Sequence, residues 1–125
     1  MDKFLVDSDI IIWYLKGRDK EVQLLEELSE KGELFTSVVT IAEIRAGLTK
    51  DAKKIILELK NIFKPLDISE EIAELTGEFK QKYKLDIADM FIAATAVINK
   101  LTLVTYNKKH FSMPQIKLYS VSIPS

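Results

Sequence analysis

Three carboxylates stand where strand-like stretches of this sequence give way to helical ones. Asp7 closes Phe4-Leu5-Val6, Glu43 ends Thr40-Ile41-Ala42-Glu43, and Asp89 follows Asp86 by three residues. Ser8-Asp9-Ile10-Ile11-Ile12 comes directly after Asp7, so an apolar strand turns at a carboxylate into an apolar helix. In open α/β proteins ligands gather outside the carboxyl ends of the strands. If the elements carrying Glu43 and Asp89 end on the same side of the sheet as Asp7, three negative charges share one rim and repel one another. A hard divalent cation relieves that repulsion, and carboxylate oxygens are the donors that Mg²⁺ or Mn²⁺ prefers. A fourth position, Asn107, follows Leu103-Val104-Thr105-Tyr106 and can offer a carbonyl oxygen or a water-mediated contact.

Each of these residues also has a structural use. Asp at a strand end commonly forms a turn or caps a helix. Thr40 with Glu43, and Asp86 with Asp89, have the spacing of a capping box, in which the acid reaches back to the first residue of the motif. Asn107 in Asn-Lys-Lys suits a turn. Asp9, two residues from Asp7, points in another direction on a helix and is accessory, and Asp86 is read as a cap.

The bulk properties narrow the field. A chain of 125 residues is one domain, spanning 1–125, able to bury about two-thirds of its unfolded surface. Hydrophobic residues at 47% and charged residues at 30% describe a globular chain rather than a disordered one. A net charge of -1 argues against a broad nucleic-acid coat, which rests on Lys and Arg, but leaves room for an enzyme meeting nucleic acid at one small site. With no Cys, thiolate zinc sites and thiol catalysis have no residues to build them, and with one His neither a His-rich metal site nor a conventional Ser-His-Asp triad is expected. There is no signal-like start and no apolar run near the ~18 residues of a membrane span. A cytoplasmic location is expected.

The elements that must position the acids follow from periodicity. Strands are expected at 3–6, 34–38, 65–68, 101–105 and 116–121. The one carrying Pro65 belongs at an edge, because Pro cannot donate to the ladder. Helices are expected at 8–16, stopped by Gly17; at 19–31, capped by Asp19 and ended by Gly32; at 40–50; at 52–63; from a Ser69 cap to about 83; and at 86–99. Strands alternating with helices predict a parallel sheet covered on both faces.

Four stretches then carry a resemblance. Leu5-Val6-Asp7-Ser8-Asp9-Ile10, Thr40-Ile41-Ala42-Glu43-Ile44 with Gly47, Asp89-Met90-Phe91-Ile92-Ala93-Ala94-Thr95-Ala96, and Leu103-Val104-Thr105-Tyr106-Asn107 with His110-Phe111 occur in this order. Together they resemble a PIN-domain ribonuclease of the VapC type, the toxin of a toxin–antitoxin pair, over essentially the whole chain. The resemblance implies an α/β fold: a single PIN-like domain with a five-stranded parallel sheet flanked by helices on both faces. It implies that Asp7, Glu43 and Asp89 are the three core acids, and that Asn107 stands where many members have a fourth Asp. A Mg²⁺- or Mn²⁺-dependent ribonuclease, a small cognate antitoxin that blocks the site, and a homodimer are implied with it.

For such chemistry Ser8 and Thr105 are candidates to hydrogen-bond phosphate oxygens or bound water, and Lys108 and Lys109 to contact the RNA backbone. Arg45 suits a surface or partner contact. His110 is expected to pack or cap beside Phe111, and Trp13 and Tyr14 to serve the core or an interface. The apolar residues Ile11, Trp13, Leu15, Leu24, Leu25 and Leu28 exceed what one small core needs, which predicts that part of the first two helices binds a partner. A receiver-like phosphoacceptor domain wants paired acids at the first strand end and a late Lys, which this chain does not have. A catalytically weak RNA- or protein-binding module is the alternative that Asn107 leaves standing.

Overall fold

A computed structural model describes residues 1–121. Its elements run β1 (Asp2–Val6), α1 (Ser8–Leu15), α2 (Asp19–Lys31), β2 (Gly32–Ser37), α3 (Val38–Gly47), α4 (Ala52–Ile62), β3 (Lys64–Leu66), α5 (Glu70–Tyr83), α6 (Ile87–Ile98), β4 (Thr102–Val104), a 3₁₀ turn (Lys108–Phe111) and β5 (Lys117–Leu118). The five strands form one sheet in the order β3-β2-β1-β4-β5, and every pairing is parallel. The Pro65 strand lies at the edge, as a residue without an N–H requires.

Alternation along β1 divides the core. Leu5 faces the layer of α5 and α6 with Phe35, Ile72, Phe79, Met90, Ile92 and Leu103. Phe4 and Val6 face the opposite layer with Ile10, Ile11, Leu25, Leu28, Leu34, Ile44, Leu59 and Phe63. Two layers of helices over a sheet buried on both faces account for the near-continuous apolar strand sequences. The chain moves outward from β1 through β2 to β3, then returns to the other side of β1 for β4 and β5. The crevice between β1 and β4 is therefore the topological switch point, where ligands of open α/β sheets bind.

Two glycines set the geometry of the β1–β2 half. Gly17, at φ +79°, ends α1 with a pair of bonds from Gly17 N–H to the Tyr14 carbonyl (2.9 Å) and from Arg18 N–H to the Trp13 carbonyl (3.0 Å). This is the Schellman arrangement, which needs a left-handed residue and so favours Gly. Gly32 closes α2 and opens β2 against Asp2. A Cβ there would lie 1.9 Å from the Asp2 carbonyl oxygen, so only Gly allows the two strands to start side by side.

Several expected boundaries shift. Strand β2 ends at Ser37 and α3 begins at Val38, with the Ser37 hydroxyl accepting from Val39 N–H at 3.1 Å. Ser37, not Thr40, is the cap, and the capping box expected between Thr40 and Glu43 does not form. Asp19 is the first helical residue of α2, after Arg18, rather than its cap. The last strand is only Lys117–Leu118. Ser69 and Asp86 cap α5 and α6 as the sequence suggests.

The first two helices are less available to a partner than their composition suggests. Ile11, Leu25 and Leu28 are buried, and Leu15 and Leu24 pack against the same cluster. Of the six residues singled out, only Trp13 is exposed, at 40%. The excess apolar character went into covering one whole face of the sheet.

Candidate active site

Asp7 is the point at which the switch crevice becomes chemical. Its backbone N–H extends the β1–β4 ladder by bonding the Val104 carbonyl at 2.9 Å. Its side chain then turns over the strand end and caps α1, Oδ1 accepting from Ser8 N–H at 2.8 Å. Oδ2 accepts from the Thr105 hydroxyl, also at 2.8 Å. The Thr105 hydroxyl oxygen in turn accepts from Asn107 N–H at 3.0 Å. Both residues are buried, Asp7 to 4% exposure and Thr105 to 1%. Thr105, a candidate phosphate contact by sequence, thus aims its hydrogen at Asp7 rather than outwards. The Ser8 contribution seen here is its backbone N–H.

Glu43 lies in the middle of α3, and α3 packs on both α1 and α6. Among the described hydrogen bonds and ion pairs, none holds its carboxylate. Asp89, in the first turn of α6, accepts or shares a bond with His110 Nδ1 at 2.8 Å. Neither acid reaches back to a helix cap, so the capping explanation does not account for them. His110 is half-exposed, and the 3₁₀ turn brings it from 21 residues away onto Asp89. The sequence points to packing or capping beside Phe111 instead. The signal available was its place in the turn after β4, on the same rim as the acids.

Electrostatics show that the acids share one space. Burial, first of all, pushes the Asp7 carboxyl above its ordinary value, the charges of Asp89 and Asp9 push it further, and the bonds from Thr105 and Ser8 oppose them. Burial likewise raises Glu43, helped by the negative charges of Asp7, Asp89, Asp86 and Asp9. Among the described residues no Lys or Arg forms an ion pair with any of these five. Asp9 is exposed at the rim, where its Oδ2 accepts from Asn107 Nδ2 at 3.3 Å. Asn107 is thereby drawn to the acids with its carbonyl oxygen left over. Lys108 and Lys109 stand beside them, lining a shallow groove of about 320 Å³ with Tyr106, Asn107 and His110.

The donor set is chemically that of a hard divalent cation: carboxylate oxygens with one amide oxygen, mutually repelling and without a basic side chain of their own. Among the described residues no three such groups are drawn together into a ready-made cage. Mg²⁺ keeps several waters in its shell and takes only one or two carboxylates directly, so a hydrated ion does not require such a cage.

One residue set beside the site was not anticipated. Glu21 on α2 is completely buried. Arg18 grips it with Nε to Oε1 at 2.5 Å and Nη2 to Oε2 at 2.6 Å, and the Tyr106 hydroxyl donates to Oε2. The Arg18 bonds, first of all, hold the Glu21 carboxyl down at about 2. Burial, with the bond to Glu21, pushes the Tyr106 phenol up to about 12.

Comparisons with known proteins agree with this geometry. Residues 4–115 match the PIN domain family. The chain is 32% identical over 114 residues to Ribonuclease VapC10 of Mycobacterium tuberculosis, covering 87% of this chain and 86% of the relative. It is 34% identical over 115 residues to Ribonuclease VapC1 of Methanocaldococcus jannaschii, covering 87% and 79%. Its structure is similar to a toxin–antitoxin complex from Klebsiella pneumoniae, with TM-score 0.76 and 30% identity over 94% of this chain and 98% of that one. It also shares the fold of VapBC2 from Rickettsia felis, with TM-score 0.81 at 22% identity over 96% and 99%. With a five-stranded parallel sheet, acids at its β1–β4 crevice and relatives of this likeness over nearly its full length, the chain belongs to the PIN-domain family.

Proposed function

We propose that this protein is a metal-dependent endoribonuclease, the toxin of a VapBC-type toxin–antitoxin pair. The observation that carries the reading is the acidic rim of Asp7, Glu43 and Asp89 at the switch crevice, whose charges raise the Asp7 and Glu43 carboxyls and which, among the described residues, meets no Lys or Arg in an ion pair. The relatives named as ribonucleases supply the substrate class. In this reading Asp7, Glu43 and Asp89 hold Mg²⁺ or Mn²⁺, with the Asn107 carbonyl as a neutral fourth oxygen. Such an ion supplies Lewis acidity at a phosphate oxygen and lowers the pKa of a bound water.

The chain's own residues divide the remaining work. Thr105 and Ser8 fix both oxygens of Asp7, so its carboxylate presents one orientation. His110 fixes Asp89 at Oδ2. Glu43 is the acid of the three without a described hydrogen bond, which leaves its carboxylate free for the ion or for a water beside it. Lys108 and Lys109 face the RNA backbone from the groove beside Asn107.

The antitoxin is assigned to the apolar groove of about 340 Å³ between α1, α3 and α4. Ile12, Leu15, Ile44, Leu48 and Ile55 line it, and Glu43 stands at its rim, so an occupant of the groove reaches the acids. Support for such a partner comes from the Klebsiella pneumoniae toxin–antitoxin complex. A homodimer completes the proposal, with Ile87, 51% exposed at the start of α6, as its candidate contact.

The test is RNA cleavage by protein stripped of divalent ions with a chelator and then resupplied. Cleavage of a broad transcript pool is expected on adding Mn²⁺ or Mg²⁺, and sequencing of the RNA ends then maps the sites. Intact RNA with either ion contradicts the proposal.

A further inference from the structure

Glu21 is an expensive residue to bury. Removing a carboxylate from water is costly, and an apolar side chain of similar volume is often as stabilising as a buried ion pair. Its position therefore asks for an explanation beyond stability, and its partners supply one. Arg18 is set by the Schellman turn at Gly17, and its guanidinium lies 4.0 Å from the centroid of the Trp13 ring. Held between Trp13 and Glu21, it presents the carboxylate from a fixed direction. The third member, Tyr106, reaches Glu21 across 85 residues of sequence. It lies between Thr105, which holds Asp7, and Asn107, which bonds Asp9.

We propose that Glu21 is a positioning residue for the acidic site: clamped by Arg18, it seats the Tyr106 hydroxyl and so fixes the Thr105–Asn107 segment that orients Asp7. The inference rests on the ribonuclease reading for its functional meaning. Strand β4 is only three residues long and ends at Val104. Beyond it, the Tyr106 hydroxyl ties this segment to α2, alongside the Thr105–Asp7 and Asn107–Asp9 bonds that tie it to the start of α1. Without that tie the Thr105 hydroxyl has a wider choice of direction, and Asp7 loses the donor that fixes Oδ2.

The experiment compares Tyr106→Phe, which deletes one hydroxyl, with Glu21→Gln, and uses Tyr119→Phe as a control. Tyr119 bonds Lys31 and Glu27, away from the site. The first readout needs no activity: amide exchange at Asn107 N–H, whose acceptor is Thr105 Oγ1. Exchange about tenfold faster is expected in both variants, as local opening becomes easier, with α5 and α6 amides and the control unchanged. The second readout is the split of kinetic constants. A fall in kcat of about tenfold or more with KM nearly constant is expected when a reacting group is misoriented. Trp13, the single tryptophan, reports the clamp by a change of fluorescence in Glu21→Gln. Unchanged exchange at Asn107 in folded Tyr106→Phe overturns the inference, as does unchanged kcat alongside faster exchange in an active enzyme. A wild type that cleaves no RNA instead defeats the ribonuclease reading, while the exchange result still decides whether the tie orders the segment. If Glu21→Gln does not fold, Tyr106→Phe carries the test alone.

Discussion

The Thr105 hydroxyl donates to Asp7 Oδ2 at 2.8 Å, joining residues 98 positions apart across the β1–β4 crevice. Both side chains are almost fully buried, so neither is free to find another partner. Replacing Thr105 by Val keeps the shape and removes the donor. The expected result is a kcat lower by about 10- to 100-fold with little change in KM, since a misplaced reacting group costs rate more than binding. Steady-state kinetics on a short RNA checks this. An unchanged kcat would mean that Asp7 is fixed by Ser8 N–H alone.

Glu43 offers the clearest electrostatic test. Its carboxyl is raised by burial and by four neighbouring acids, so the fold disfavours its charged form. A group of this kind adds stability below the ordinary carboxylate range, and that contribution is lost as pH rises through its raised pKa. In metal-free protein at pH 7, Glu43→Gln should raise Tm by about 1–3 °C, the size of a solvent-screened change of a few tenths of a kcal/mol. The gain should vanish at acid pH, and saturating Mn²⁺ should reverse the order. Thermal melts at several pH values, with and without Mn²⁺, measure it.

Glu21 carries the opposite sign. Held down at about 2 by Arg18, against an ordinary value of 4.5, it contributes stability that is present above 4.5 and lost as pH falls towards 2. Wild type should melt above Glu21→Gln at pH 7, and the gap should narrow through that acid window. A gap independent of pH would show that packing, not charge, explains the burial.

How much of this was legible in the sequence depends on the range of each interaction. The sheet and its helices were readable because apolar periodicity is local, and because Gly17, Gly32, Pro65 and Ser69 punctuate the chain by their own backbone chemistry. Asp7, Glu43 and Asp89 were visible as acids at element boundaries, and motif order tied them together. The start of α3 was misplaced by two residues because Ser37 and Thr40 are both good caps and only the length of β2 decides between them. The Asp89–His110 contact and the Arg18–Glu21–Tyr106 tie were not legible. The Tyr106–Glu21 bond joins segments brought together only by the crossover at the switch point, and the His110 contact depends on how the 3₁₀ turn folds back onto α6. Glu21 in particular looks like any other acid on a solvated helix until its burial is seen.

Lys108 and Lys109 differ from the acids in what their loss should do. Replacing both by Ala should raise KM, leave kcat nearly intact and lower the slope of log affinity against log salt by about 0.7 per lost contact to single-stranded RNA. Binding titrations to uncleaved RNA over a range of salt provide the measurement. A loss of kcat at constant salt slope would place these residues in the chemistry instead.

The most direct test of the metal-dependent site replaces one carboxylate oxygen at a time. Asp7→Asn and Asp89→Asn should keep the fold by circular dichroism and lose RNA cleavage by about a hundredfold or more in Mn²⁺, as expected when a ligand of the catalytic ion is removed. Mn²⁺ binding, read by calorimetry on the protein alone, should weaken in both. Folded variants that cleave as well as wild type, or that bind Mn²⁺ unchanged, would contradict a catalytic metal site at Asp7 and Asp89.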